Sequence, residues 1–221
     1  MSKQSVLIVE DEPKLAQLLV DYLARDGFVC PIPILTSEDV RSARGELEDW
    51  ERAQGAPIDF PEKSKSYLLF GWADRLVHHP RVLDAVEDLI GPDILVYHST
   101  LFVKEAHTGS FVRWHQDSAY FYLEPHLHVT ACVALSDASE LAGCMHALPG
   151  SHRWGAFEHD DQPGPLNMIR RGQGSAPTIW VGPGSDHRGT ADDHAFDRVR
   201  FAFQNCPRQE RGVGFFADFM I

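Results

Sequence analysis

The sequence predicts an α+β domain built around a β-sandwich or jelly roll, because helical patterns come first and many short strands follow. Apolar residues recur at helical spacing up to about residue 90, whereas extended runs begin at residue 93. Turn signals such as Pro149-Gly150 and Pro183-Gly184 separate these runs. The length of 221 residues suits one domain, or one domain with a short appendage.

Capping and stop signals mark the predicted helices. Gly27 is the expected end of the first helix, and Thr36 is the expected N-cap of the second, with Asp39 at the capping-box position. Pro80 is expected to open the last one. The predicted helices cover about residues 15–26, 37–52, 68–78 and 80–90.

The second part of the chain contains the predicted strands. Each is a short run rich in β-branched and aromatic residues and bounded by turn residues. They cover residues 94–97, 101–103, 111–115, 127–135, 144–148, 177–181, 198–205 and 213–219.

Composition excludes several classes of partner. The net charge of -12 argues against nucleic acid and against an anionic membrane surface, since both require a basic protein surface. The start of the chain lacks the pattern of a signal peptide, so we expect a cytoplasmic protein. No C-x-x-C pair is present, and Cys132 and Cys144 are expected to be small buried side chains.

His115 and Asp117 form the most informative motif. An imidazole and a carboxylate two residues apart on an extended segment project to the same face. They can supply two ligands of a 2-His-1-carboxylate triad, which leaves positions open on Fe(II). Aromatic residues surround the motif and are expected either to line a substrate pocket or to belong to the core; they are Trp114, Tyr120, Phe121 and Tyr122.

Further stretches accompany Trp114–Asp117 along the chain; they are Arg25–Phe28, Leu35–Val40, Gly91–Leu95, Leu101–Lys104, Ala134–Asp137, Gly143–Met145 and Pro149–Arg153. Together they resemble the ordered motifs of the phytanoyl-CoA dioxygenase family over about residues 24–205. The resemblance implies a double-stranded β-helix (jelly-roll) core with amino-terminal helices packed on it. It also implies an Fe(II)- and 2-oxoglutarate-dependent dioxygenase that hydroxylates a C–H bond of a small organic substrate with O2.

The resemblance implies residues that complete the site. His187 is the expected third iron ligand, although His194 or no third ligand are the alternatives. Arg198 follows His187 by the family's spacing and is expected to bind the distal carboxylate of 2-oxoglutarate, with Arg200 as the fallback. Lys104 is expected either to help neutralise 2-oxoglutarate or to be an exposed lysine.

Other residues of these motifs receive narrower roles. The resemblance implies that Asp117 favours hydroxylation, because halogenases of related type replace this carboxylate by a small residue. His152 is expected to fix its turn through hydrogen bonds rather than to bind iron. His126 and His128 are expected on the surface of a strand, although as a pair they leave a cupin-like metal protein open.

Residues 5–23 resemble the first strand and helix of a response-regulator receiver domain. One strand and one helix cannot form the parallel sheet of a receiver. We therefore expect residues 1–24 to be a receiver-like leader, and residues 25–221 to be the oxygenase domain with an atypical carboxy-terminal part. A catalytically impaired jelly-roll remnant that binds a small molecule and a signalling protein with a receiver-like start are the alternative functions.

Overall fold

The architecture is taken from a computed structural model of the chain. It describes residues 20–121, 128–139, 142–153, 159–161, 164, 166, 168–169, 171–172, 200–203 and 211–220, with the backbone alone for 160, 171–172 and 200–203. The leader strand, the strand predicted at 177–181, His187, His194 and Arg198 lie outside the described residues.

The predicted helices are confirmed with small shifts at their ends. Within the described residues helix α1 covers 20–26, and the first part of the predicted helix, 15–19, lies outside them. The helix ends at Gly27, whose positive φ of 83° suits glycine and whose N–H donates to the Leu23 carbonyl. Thr36 caps the next helix and forms the predicted capping box with Asp39. The remaining helices are α2 Ser37–Gln54, α3 Gly71–Val77, α4 Pro80–Ile90 and α5 Ser118–Phe121, with 3-10 turns at Ser66–Leu68 and Ser151–Arg153.

Two antiparallel three-stranded sheets and a short ribbon form the β part that the structure describes. The larger sheet has the order β1-β8-β3, the smaller one β2-β7-β4, and the ribbon pairs β5 with β6. The strands are β1 Leu95–Lys104, β2 Val112–Gln116, β3 His128–Ala134, β4 Met145–Ala147, β5 Asp160–Asp161, β6 Arg171–Gly172, β7 Arg200–Phe203 and β8 Gly212–Met220.

The prediction of two separate strands at 94–97 and 101–103 was wrong, because β1 is one strand of 10 residues. The polar residues between these runs suggested a break. Instead, Ser99 is fully buried and its hydroxyl lies 3.3 Å from that of Ser66. The polar side chain therefore has a partner inside the protein, and the strand continues through it.

The two faces of the larger sheet have different neighbours because side chains alternate along a strand. One face packs in a single core with helices α2, α3 and α4, including Leu47 and Trp72. This packing confirms that the amino-terminal helices cover the sheet. The strand residues of this core include Leu101, Val133, Val213, Phe215, Ala217 and Phe219.

The opposite face of the larger sheet borders a cavity. A β-bulge at Tyr97 shifts the register between β1 and β8, after which His98 pairs with Asp218. The cavity-facing residues are His98, Thr100, Phe102 and Lys104 on β1, Gly212, Gly214, Phe216 and Asp218 on β8, and His128, Thr130, Cys132 and Ala134 on β3. Among the described helices, none is both long and apolar enough to cross a membrane.

Candidate active site

The cavity has a volume of about 860 Å³ and is the setting of the candidate site. It is bordered by the larger sheet, by α4 and by residues 27–35, and His115, Asp117 and Lys104 reach it. A space of this size accommodates a small organic molecule and a dicarboxylate together. The expectation that Cys132 and Cys144 are small buried side chains was wrong, because Cys132 is exposed and Cys144 is half-buried, and both border this cavity. Burial within the protein nevertheless raises the pKa of the Cys132 thiol to about 12.

The backbone of its own strand orients the His115 ring. Its side chain is buried, and Nδ1 lies 2.8 Å from the Arg113 carbonyl oxygen. Since a carbonyl only accepts, Nδ1 donates this hydrogen bond, and Nε2 is the ring nitrogen that can act as a metal ligand. Nε2 faces Asp117 Oδ1 at 3.3 Å. Metal-binding histidines commonly have their second nitrogen held in this way.

Asp117 reaches the site by a turn rather than by strand alternation. The prediction that both residues lie on an extended segment was wrong in this detail, because β2 ends at Gln116. The Asp117 carbonyl accepts a hydrogen bond from the Tyr120 N–H at 2.8 Å, which starts the short α5. The turn brings the carboxylate back over His115.

Charges and hydrogen bonds around Asp117 keep its carboxylate ionised. Burial opposes the charge, but the close contact with His115, together with His128 and Thr130, outweighs burial and lowers the pKa of Asp117. The paired donor atoms of His115 and Asp117, one imidazole nitrogen and one carboxylate oxygen, suit Fe(II). Their separation of 3.3 Å is close to that of neighbouring ligands around one metal ion, roughly 3 Å. The donor pair therefore fits the expected metal.

Thr130 and Asp218 extend this arrangement into the larger sheet. Thr130 Oγ1 lies 3.0 Å from Asp117 Oδ2 and 2.7 Å from Asp218 Oδ1. Neither residue was predicted from the sequence. A signal was available, because Thr130 lies on a polar face that alternates with Val129 and Ala131, and Asp218 is a charge inside an apolar strand.

Lys104 borders the cavity at the other end of β1. Its side chain is 3% exposed, and Nζ donates a hydrogen bond to the Gly143 carbonyl at 2.9 Å. The alternative that Lys104 is an exposed lysine was therefore wrong. Gly212 faces Lys104 across the sheet. The ammonium group places a positive charge beside the cavity, as the binding of a dicarboxylate requires.

His128 is buried, so its expected position on the surface of a strand was wrong; His126 lies outside the described residues. The His128 ring packs edge-on against Phe121 at 5.0 Å, and Phe121 in turn contacts Tyr97 and His98. Burial lowers the pKa of His128 to about 4, although the charge of Asp117 opposes the shift. His128 is therefore a neutral side chain beside the cavity at neutral pH.

The aromatic residues around the metal motif divide between two settings. Tyr120 and Phe121 border the cavity, and the Tyr120 ring lies edge-on to His115 at 5.8 Å. Trp114 is half-buried and does not border the cavity as the described residues define it. Tyr122 lies outside the part of the chain that the structure describes. The substrate-pocket interpretation therefore fits Tyr120 and Phe121.

His152 has the structural role that the sequence analysis gave it. Its Nε2 lies 3.2 Å from the Ala24 carbonyl, and the Gly150 N–H donates to the Asp26 carbonyl at 2.8 Å. Arg153 also donates to Ala24. These hydrogen bonds attach the turn to α1 and confirm that His152 fixes this part of the fold.

The described residues contain no cluster of three or more His, Cys, Asp or Glu side chains that could hold a metal ion. Both candidates for the third ligand, His187 and His194, lie outside the described part of the chain. The backbone of β7 passes beside the donor pair, because Phe201 is opposite His115 and Arg200 is opposite Gln116.

Comparison with known proteins identifies relatives of the chain. The family model described as phytanoyl-CoA dioxygenase (PhyH) matches residues 23–178. An L-proline trans-4-hydroxylase from Streptomyces griseoviridis is 32% identical over 152 residues, which cover 63% of this chain and 56% of that protein. The chain thus spans about half the length of this curated relative.

Solved structures share the fold. The non-heme monooxygenase ThoJ in complex with Ni superposes with a TM-score of 0.67 at 28% identity, covering 91% of this chain and 76% of that one. The epimerase SnoN in complex with Fe3+, alpha ketoglutarate and nogalamycin RO gives a TM-score of 0.66 at 20% identity, covering 94% and 84%. At that identity, the likeness to SnoN concerns the fold.

Proposed function

The chain belongs to the phytanoyl-CoA dioxygenase family, and we propose that it hydroxylates a C–H bond of a small organic substrate with O2. Fe(II) and 2-oxoglutarate are the cofactors of this family. The observation that carries the proposal is the donor pair at the wall of the cavity, in which Nε2 of the buried His115 lies 3.3 Å from Asp117 Oδ1.

His115 and Asp117 hold the iron in this proposal, with His187 as the third ligand. The backbone of β7 lies beside His115, which supports a site to which the carboxy-terminal part of the chain contributes. In the same proposal, the two sheets are parts of a closed jelly roll. When bound, Fe(II) and 2-oxoglutarate supply an oxidation by O2 in which 2-oxoglutarate is converted to succinate and CO2.

Lys104 and Arg198 bind 2-oxoglutarate in the proposed enzyme. The buried ammonium of Lys104 supports this role, because a buried cation beside a cavity attracts a carboxylate. Arg198 supplies the second cation and pairs with the distal carboxylate.

The substrate occupies the part of the cavity bordered by Tyr120 and Phe121. Aromatic walls exclude water and fix the orientation of a small molecule, which directs one C–H bond to the metal side of the cavity. The neutral His128 adds hydrogen-bonding atoms to this wall, and so does His98, whose pKa burial lowers. The presence of the Asp117 carboxylate favours hydroxylation over halogenation.

Turnover of 2-oxoglutarate tests the proposal. Purified protein supplied with Fe(II), O2 and 2-oxoglutarate is expected to release succinate, and Asp117→Ala is expected to abolish the release. His187→Ala and His194→Ala form a matched pair, and only the first should abolish turnover. Wild-type protein that releases no succinate with any of a panel of small amines, acids and ring compounds would indicate the impaired jelly-roll remnant instead.

A further inference from the structure

We propose that Thr130 is a positioning residue for the metal ligand Asp117, an inference that rests on the proposed function. The two oxygens of this carboxylate have different partners. Oδ1 faces His115 Nε2 at 3.3 Å, whereas Oδ2 lies 3.0 Å from Thr130 Oγ1. The hydroxyl therefore orients the carboxylate so that Oδ1 remains directed towards His115 Nε2 and the proposed metal.

Thr130 is suited to hold a carboxylate because its own side chain is fixed. A β-branched side chain on a strand has few accessible χ1 rotamers. Thr130 lies on β3 directly opposite Asp218 of β8, and its Oγ1 is 2.7 Å from Asp218 Oδ1. Asp218 is itself buried, with 3% of its surface exposed. The hydroxyl thus lies between two carboxylates from distant parts of the chain, and because it carries one proton it donates to one of them at a time.

The position of Asp117 explains why such a support is needed. Asp117 follows the last residue of β2, so the sheet ladder does not fix its backbone as it fixes that of His115. A carboxylate on a turn can bind a metal through one oxygen or through both. Donation from Thr130 to Oδ2 would leave Oδ1 as the carboxylate oxygen that binds the metal.

Cobalt(II) binding to the full-length protein tests this role without catalytic turnover. Thr130→Val keeps the shape of the side chain and removes the hydroxyl, whereas Thr130→Ser keeps the hydroxyl. We expect Thr130→Val to weaken Co(II) affinity about 10–100-fold and to alter the visible Co(II) spectrum. Thr130→Ser should restore both the affinity and the spectrum to nearly those of the wild type.

Thr100→Val is the matched control. Thr100 borders the same cavity from β1. It lies about 7 Å along this strand from His98, the residue that pairs with Asp218. The same substitution there should leave Co(II) affinity unchanged. If Thr130→Val fails to give a folded circular dichroism spectrum, Thr130→Ala carries the same comparison.

A double-mutant cycle separates the contribution of Asp218. If Asp218 acts through Thr130, Asp218→Ala should change Co(II) affinity in the wild-type background but not in the Thr130→Val background. Equal Co(II) affinity and equal spectra for wild type and Thr130→Val would overturn this inference but not the proposed function. Failure of the wild type to bind Co(II) would overturn the proposed function and this inference with it.

Discussion

Glu51 and Arg211, which are 160 positions apart in the sequence, are joined by a hydrogen bond of 2.6 Å. The same Glu51 oxygen accepts the Ile58 N–H at 2.9 Å, and Arg211 also donates to Glu105 at 2.9 Å. Glu51 lies on α2, and Arg211 immediately precedes β8. The ion pair therefore connects the helical layer to the central strand of the larger sheet.

Glu51→Gln is expected to lower the free energy of unfolding by about 1–3 kcal/mol, because both partners are largely buried and the hydrogen bonds are charge-assisted. Burial opposes the charge of Glu51, but Arg211 and Ile58 outweigh it and lower its pKa below the ordinary 4.5. The stabilisation is therefore present above about pH 4.5 and is lost as the pH falls through the lower folded-state pKa.

Urea denaturation at neutral and acidic pH measures this difference. Glu48→Gln on the same helix is the control, because the Arg44–Glu48 pair is more exposed and should contribute only about 0.3–0.5 kcal/mol. An equal effect of the two substitutions, or a Glu51→Gln effect independent of pH, would contradict the described ion pair.

Much of the fold was predictable because its signals are local. The capping box at Thr36 depends on residues three apart, and Gly27 ends α1 through its own backbone conformation. The merging of two predicted strands into β1 was not predictable in this way. It depends on Ser66, which lies 33 positions from its partner Ser99 and gives that buried hydroxyl a hydrogen-bonding partner.

The candidate site shows the same division. His115 and Asp117 were predicted from a spacing of two residues, even though a turn rather than a strand produces their contact. Thr130 and Asp218 were missed because their role depends on pairing between β3 and β8, which are far apart in sequence. The burial of His128 likewise depends on packing against Phe121, which no local pattern specifies.

Gly212 is required by a close approach of two backbone segments. A Cβ atom at this position would lie 2.8 Å from the Ala142 carbonyl oxygen. Gly212→Ala is therefore expected to lower the free energy of unfolding by about 1–3 kcal/mol and to disturb the Lys104 end of the cavity. Gly45→Ala, inside α2 with nothing within 4 Å of the new Cβ, should instead stabilise by about 0.5–1 kcal/mol. Chemical denaturation measures the effect of each substitution. Destabilisation by both would contradict the close approach at Gly212 and the open space at Gly45.

His128 makes the folded protein sensitive to acid. Its folded-state pKa of about 4 lies below the ordinary 6.5, so the unfolded chain binds more protons between these values. The free energy of unfolding therefore has its full value above about pH 6.5. It decreases by roughly 3 kcal/mol as the pH falls towards 4. His128→Leu should reduce this decrease, which thermal unfolding across the pH range measures. An imidazole that titrates near pH 6.5 by NMR would refute the prediction.

Lys104→Met is expected to weaken 2-oxoglutarate affinity about 10–100-fold, since it removes a buried charge proposed to bind a carboxylate. Isothermal titration with 2-oxoglutarate on the Fe(II)-loaded protein measures the effect, and Fe(II) affinity should change little. Lys63→Met is the control, because Lys63 pairs with the exposed Asp59. An unchanged affinity in Lys104→Met would remove Lys104 from the proposed 2-oxoglutarate site.

Anaerobic equilibrium dialysis against Fe(II) tests the metal centre most directly. Wild-type protein is predicted to retain one Fe(II) per chain. His115→Ala and Asp117→Ala should each lower the affinity by at least about 100-fold while keeping the circular dichroism spectrum of the folded protein. Equal retention of iron by the wild type and both variants would contradict the assignment of this donor pair as the metal site.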